Sequence, residues 1–533
     1  MRWQWKALAK ASVLAACAVG CRSGMKPTAA TAPHAPPDLA VERVHQVVYD
    51  KPEKAPPADT PDSEPLRLPV DVETAEVIAP PMPIEAPSLP GLVASVRAHF
   101  PLIQQALASR AVASGETLSA WGAFDHKLEG ASTSQPLDFY KNYWHNIGLK
   151  RDTYWGGQTF AGYRVGRGQF EPWYLERETN KGGEFKAGIV APLARDRNID
   201  ANRAELWRSQ LERGRVEPEI RAVLIGSVRD ATVAYWQWVA AAANHRIAEG
   251  VLQLGNDRNG YLDRQVELGE KAEIDLIDNQ RIIVSRRAKL IDARRKLEQS
   301  AVKLSLFFRD DSGAPVVLPV EAANVDYPPT PSPDEWGSVA DTATARANRP
   351  ELEELRLVER QLSVLLRQAN NETRPQVDAG LLVAQDVGEP TSSKGDKSEF
   401  ELEASLTLTV PLERRKALGK ARQLRGKLAQ LRAKTRFAAD KIVAEAQASH
   451  AALLAAAERV EETTEGLTLS QQMESAERRL YELGQSTLFN LNLREQQTAE
   501  AAAARVEAQT DYFVAQADYA AALGLESAQG FRQ

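Results

Sequence analysis

The chain has only two cysteines in 533 residues, Cys17 and Cys21, so nothing beyond position 21 can form a disulfide or lend a thiolate to a metal. Mean hydropathy is −0.39, and no run of 18 apolar residues follows the N-terminal segment. Any membrane crossing by the body of the chain must therefore be made by strands. Proline is absent after Pro411, which leaves the last part of the chain free to form uninterrupted helix. No excess of one charge exists either: 66 Lys and Arg face 72 Asp and Glu, interspersed, for a net charge of −6. No basic stripe offers itself to nucleic acid. The seven histidines (His34, His45, His99, His126, His145, His245 and His450) include no pair at helical ligand spacing, and HExxH, P-loop and nucleophile-elbow motifs are all missing. No catalytic residue, metal ligand or cofactor is expected. The paired acids Glu461-Glu462 read as the solvated face of a helix.

The N-terminus carries Arg2, Lys6 and Lys10 and then a short apolar segment over residues 11–20, the pattern of a signal peptide. Small residues before a cysteine resemble a bacterial lipobox. Leu14-Ala15-Ala16-Cys17 has the better residue types and Ala18-Val19-Gly20-Cys21 the longer apolar lead, so Cys21, or else Cys17, is a candidate lipidation site; an ordinary secretory signal is the alternative. Fifteen of the thirty prolines lie between Pro27 and Pro90, the composition of an extended or disordered tether.

A second proline cluster, Pro315 to Pro333, separates two halves that repeat each other. His99-Phe100-Pro101-Leu102-Ile103 and Asn348-Arg349-Pro350-Glu351-Leu352 each open a helix with proline at a tolerated early position. Ala191-Pro192-Leu193 and Val410-Pro411-Leu412 each end a strand before an Arg-rich helix start. Leu268-Gly269 and Leu483-Gly484 each interrupt a long helical pattern, followed by Ile274-Asp275-Leu276 and Phe489-Asn490-Leu491. Three matches in the same order define a duplicated unit of helix, strands, long helix, turn and helix. Long helices are predicted over 201–268 and 416–483, each roughly 100 Å if continuous, with a kink or break near Pro218. Shorter helices are predicted over 90–118, 274–309, 341–371 and 487–523. The domain organisation expected is signal and lipobox 1–21, tether 22–89, first unit 90–314, linker 315–340, second unit 341–525 and tail 526–533.

The clearest single element is residues 400–410. Phe400, Leu402, Ala404, Leu406, Leu408 and Val410 alternate with Glu401, Glu403, Ser405, Thr407 and Thr409, and the length suits a tilted strand crossing a bilayer with one face to lipid and one to a lumen. The region 121–190 is richer in glycine and aromatics, including Trp144, Tyr154, Trp155, Phe160, Tyr163, Phe170, Trp173 and Tyr174, as an interfacial girdle would be.

This duplicated plan, with Trp121-Gly122-Ala123-Phe124-Asp125, the Val410-Pro411-Leu412 strand end and the two Leu-Gly turns, resembles the outer-membrane efflux protein (TolC) family over about residues 90–525, here as a lipoprotein member. The resemblance implies a mainly α fold with a transmembrane β-barrel: a homotrimer in the bacterial outer membrane, each chain giving four strands to one twelve-stranded barrel above a periplasmic α-barrel tunnel. It also implies a passive efflux or secretion channel, docked at its inner end by a periplasmic adaptor and an inner-membrane transporter. Carried over, Leu268, Gly269, Asp275, Asp278, Tyr481, Leu483, Gly484 and Asn490 fall at the tunnel tip and gate. Ser486 stands where an arginine would answer Asp275, and Asn490 and Leu493 replace acids, so this gate departs from the family's pattern. Asp275 and Asp278 read alternatively as solvated charges beside a turn. A non-conducting coiled-coil lipoprotein or an adaptor of the cell envelope is the alternative to a channel, and it leaves the strands unexplained.

Overall fold

Two Xaa-Pro steps set the opening of each half. A residue before proline is pushed out of the helical region, and Phe100 (φ −73°, ψ 123°) and Arg349 (φ −66°, ψ 118°) are both extended. Each opening is therefore two helices in series: α1 (Leu89–His99) and α2 (Pro101–Trp121), then α5 (Thr342–Asn348) and α6 (Pro350–Asn371), with proline first in α2 and α6. The sequence suggests one helix in each place. This computed structural model describes residues 87–170, 177–331, 339–391 and 400–526, all within one compact unit, Ile78–Gln533. The signal segment, nearly all of the tether and of the C-terminal tail, and the middle of the 315–340 linker lie outside the described residues.

The long helices are α3 (Ala201–Glu267) and α7 (Arg415–Glu482), 67 and 68 residues. Their ends agree with the sequence reading to within a residue. Helix α3 runs unbroken through Pro218, where the sequence suggests a kink or break. Val216 and Ile220 on either side of the proline are buried against Ala106 and Ala113 of α2, and this packing holds the turn together. Returning helices α4 (Glu273–Leu304) and α8 (Leu488–Ala522) pack on α3 and α7 respectively. The main core lies where all of these helices meet, around Leu92, Trp238, Leu304, Leu453 and Tyr512. Trp236 stacks on Phe513 with ring centroids 4.2 Å apart, and on Tyr327 of the proline-rich linker at 5.6 Å. The linker is thus bound as well as connecting: Arg246 donates to the carbonyls of Ala323 and Val325 at 3.3 and 3.2 Å.

Strands β1 (Lys127–Gln135), β2 (Asn142–Asp152), β3 (Gln158–Gly168), β4 (Glu184–Pro192), β5 (Gln376–Asp386) and β6 (Phe400–Thr409) form one antiparallel sheet in that order. The sheet thus has two strands more than the four per chain that the resemblance implies for the barrel. The first half supplies two hairpins and the second one. Hairpins β3–β4 and β5–β6 correspond, since both lead out through the repeated Pro-Leu step; β1–β2 is the addition. After β4, Asp200 caps α3 by accepting from the Arg203 amide at 2.8 Å, and Asn371 at the end of α6 holds the β4–α3 connection by donating to Asp196 and to the Ile199 carbonyl at 2.9 and 2.8 Å.

Candidate functional site

Directly paired residues of an antiparallel sheet point to the same face, so the registers sort every strand residue into one of two surfaces. On one face lie Phe400, Leu402, Ala404, Leu406 and Leu408 of β6, Val377, Ala379, Leu381 and Val383 of β5, and Phe185, Ala187 and Ile189 of β4. The same face continues through Ala161 and Tyr163 of β3 and Ile147 and Leu149 of β2 to Leu128 of β1. Leu406 (70% exposed), Leu402 (63%) and Leu128 (70%) are open to solvent in the isolated chain, while Val377, Val383, Ile189 and Tyr163 are half-buried. Toward the far ends of β1 and β2 the apolar set stops and Ser132, Ser134 and His145 take over, Ser132 and His145 hydrogen-bonding at 2.8 Å. The opposite face carries Glu401, Glu403, Thr407, Asp378, Glu184, Lys186, Arg164, Lys150, Asn146, Lys127 and Glu129. Arg164 and Glu184 meet there at 2.9 Å, both buried. A contiguous exposed apolar surface of this width does not belong in water. Backed by a charged surface, it has the alternation of a membrane barrel wall.

At the other end of the helices, the two turns are built alike. Gly269 (φ 78°) and Gly484 (φ 74°) sit in the left-handed region that glycine enters without cost. The Gly269 amide donates to the Val266 carbonyl at 3.0 Å and the Glu270 amide to Gln265 at 2.8 Å; Gly484 donates to Tyr481 at 3.0 Å and Gln485 to Leu480 at 2.8 Å. Both are Schellman closures that satisfy the last helical carbonyls. Leu268, Ile274 and Ile277 of the first turn and Leu483, Phe489 and Leu493 of the second are all exposed, so the tips present apolar side chains among the exposed acids Glu267, Glu270 and Glu273.

The gate candidates are distributed over both turns. Asp278 pairs with Arg281 at 3.0 Å, one helical turn away. Burial pushes the Tyr481 phenol up; Arg258 opposes the rise and Asp275 adds to it, which places Asp275 within electrostatic reach of Tyr481. Lys271, a cation that the sequence reading did not single out, lies over the Tyr481 ring at 5.3 Å and links the two turns. Ser486 donates to Glu477, and Asn490 reaches Ser486 at 3.5 Å.

Just above the turns is a buried charge cluster that sequence reasoning missed altogether. Glu495 of α8, 2% exposed, accepts from Arg286 of α4 at 2.7 Å and from Arg258 of α3, while Arg478 of α7 stands 3.9 Å away. Arg258 also donates to Asn492 at 2.5 Å and Arg286 to the Val251 carbonyl at 2.8 Å. One carboxylate thus holds guanidiniums from the first hairpin against the second. The pairing joins residues more than two hundred positions apart, and in sequence each reads as a charge on a solvated helical face.

Cys17 and Cys21 lie outside the described residues. Among the described residues no helix is long and apolar enough to cross a membrane, and no cluster of three His, Cys, Asp or Glu side chains could hold a metal.

No family model and no curated protein matches the sequence. Solved structures do match the fold. The Vibrio cholerae outer membrane protein VceC aligns with a TM-score of 0.58 at 15% identity, covering 82% of this chain and 96% of that one. The Campylobacter jejuni CmeC outer membrane channel gives 0.57 at 13%, covering 82% and 85%. The open state of the Neisseria gonorrhoeae MtrE outer membrane channel gives 0.56 at 13%, covering 83% and 89%. At these identities the likeness establishes the fold: a mostly helical chain with one sheet, built as in outer-membrane channels.

Proposed function

We propose that the chain is the outer-membrane channel of a tripartite efflux or secretion system. Three copies would conduct passively what an inner-membrane transporter delivers through a periplasmic adaptor, and the chain itself performs no enzymatic reaction. The observation that carries this reading is the apolar face continuous over all six strands and backed by a charged one, because a scaffold or adaptor has no use for such a sheet. The fold shared with solved outer-membrane channels supports it. In this reading the sheet lies in the outer membrane, the helices stand in the periplasm, and an acyl chain on Cys21 or Cys17 adds a lipid anchor.

The paired tips are the docking rim. Their exposed leucines, isoleucines and phenylalanine suit a helical hairpin of the adaptor, while Asp275, Asp278 and Tyr481 of three copies converge as the gate. Cysteines placed at Glu270 and Gln485 should crosslink in cells to a periplasmic adaptor, and cysteines at Glu401 and Glu403 in the barrel should not. Crosslinking from Glu401 and Glu403 but not from the tips would reject this orientation.

A further inference from the structure

Strands β1 and β6 are each paired on one side only among the described residues, and an open edge is not tolerated in lipid. We propose that a second copy of this chain fills each edge, β1 of one copy pairing antiparallel with β6 of the next. The added hairpin β1–β2 is then built into the wall, and three copies close a barrel of eighteen strands around a wide, charged lumen. The inference rests on the channel reading and goes beyond it to the closing interface and the width of the pore.

Direction is compatible at once. Strand β1 follows α2 and β6 precedes α7, so both have an end at the helical side, and six alternating strands per chain leave β6 and the next β1 antiparallel. The faces are compatible as well, since the apolar surface extends without a break from β6 to Leu128 on β1.

Stagger then fixes the register. Following the paired rows across one chain, Lys127 lies level with Lys150, Phe160, Gly188, Leu382 and finally Glu403. Glu403 is six residues short of Thr409, the helix-side end of β6. If the helix-side ends of neighbouring copies are flush, Lys127 of one faces Thr409 of the next, and the rows climb six residues for every six strands. Climb then equals strand number, the ratio at which strands tilt about 36° from a barrel axis, within the range of closed barrels. The flush register therefore gives a strand tilt that closed barrels adopt. In this register Leu128 faces Leu408 on the lipid side, Ser132 faces Ala404, and Glu129 faces Thr407 on the lumen side, so no like charges oppose each other. Diameter grows roughly linearly with strand number, so this barrel is about 1.5 times as wide as one of twelve strands.

The test is disulfide formation in the full-length chain in native membranes. The pair Ser132→Cys with Ala404→Cys should yield covalent dimers and trimers on oxidation, over the background of the parent chain with Cys17 and Cys21 alone. The pair Tyr163→Cys with Ala404→Cys should not, because it links copies only if β3 closes the barrel and β1–β2 stands outside the wall. Crosslinking through Tyr163→Cys overturns the proposal, as does crosslinking by neither pair in a sample that conducts, and the channel reading survives both results. Loss of conductance together with the absence of any trimer in the unsubstituted protein overturns both. Cryo-electron microscopy of that unsubstituted protein counts the strands independently, and a wall of twelve excludes the proposal.

Discussion

Gly269 and Gly484 are the residues on which each hairpin's reversal depends, and the environment isolates the reason. A Cβ at either position would meet nothing within 4 Å, so the demand is purely one of backbone, φ 78° and φ 74°. Gly484→Val should therefore cost about 1–2 kcal/mol through left-handed strain alone. Hydrogen exchange should rise at the Gln485 amide and spare the sheet, and Gly484→Asn should be milder. Glu495 is a different case, since its loss would strand buried guanidiniums. Glu495→Ala should cost about 3–5 kcal/mol, seen as exchange in α8 faster by roughly a hundredfold or more. Unchanged protection would mean that the cluster is not coupling the hairpins.

The elements differ in how plainly the sequence announces them. Strand β6 alternates large apolar and polar residues without a fault, and Pro101, Pro350 and the two Leu-Gly steps mark helix boundaries that the structure keeps. The hairpin β1–β2 was not legible because β1 shows Leu128, Gly130, Ser132 and Ser134 on its apolar face, a pattern with almost no contrast. Its membership emerges only from its pairing with Ile147 and Leu149. The unbroken course of α3 past Pro218 was hidden in the same way, since the compensating contacts come from α2. The face assignment predicts an asymmetry within one strand: Leu406→Arg should cost roughly 2–4 kcal/mol near the bilayer midplane and impair assembly, whereas Thr407→Arg should leave assembly intact and alter conductance. Equal tolerance in a trimer assay would remove β6 from the membrane.

For the whole molecule, two exposed apolar surfaces sit at opposite ends of helices roughly 100 Å long, one face of the sheet and the leucine, isoleucine and phenylalanine side chains of the tips. In the proposed channel the first meets lipid and the second meets an adaptor. If three copies of Asp275 and Asp278 converge on one axis, the inner mouth is cation-attracting, and the Asp275→Asn, Asp278→Asn double variant should lower cation selectivity; an unchanged reversal potential would return both carboxylates to a solvated role. The most direct measurement of the central claim is single-channel recording of the purified, full-length protein in a planar lipid bilayer, paired with native mass of the same sample. The account predicts particles of three chains that insert and give discrete, stable conductance steps, and protein that inserts yet leaves the bilayer sealed would contradict it.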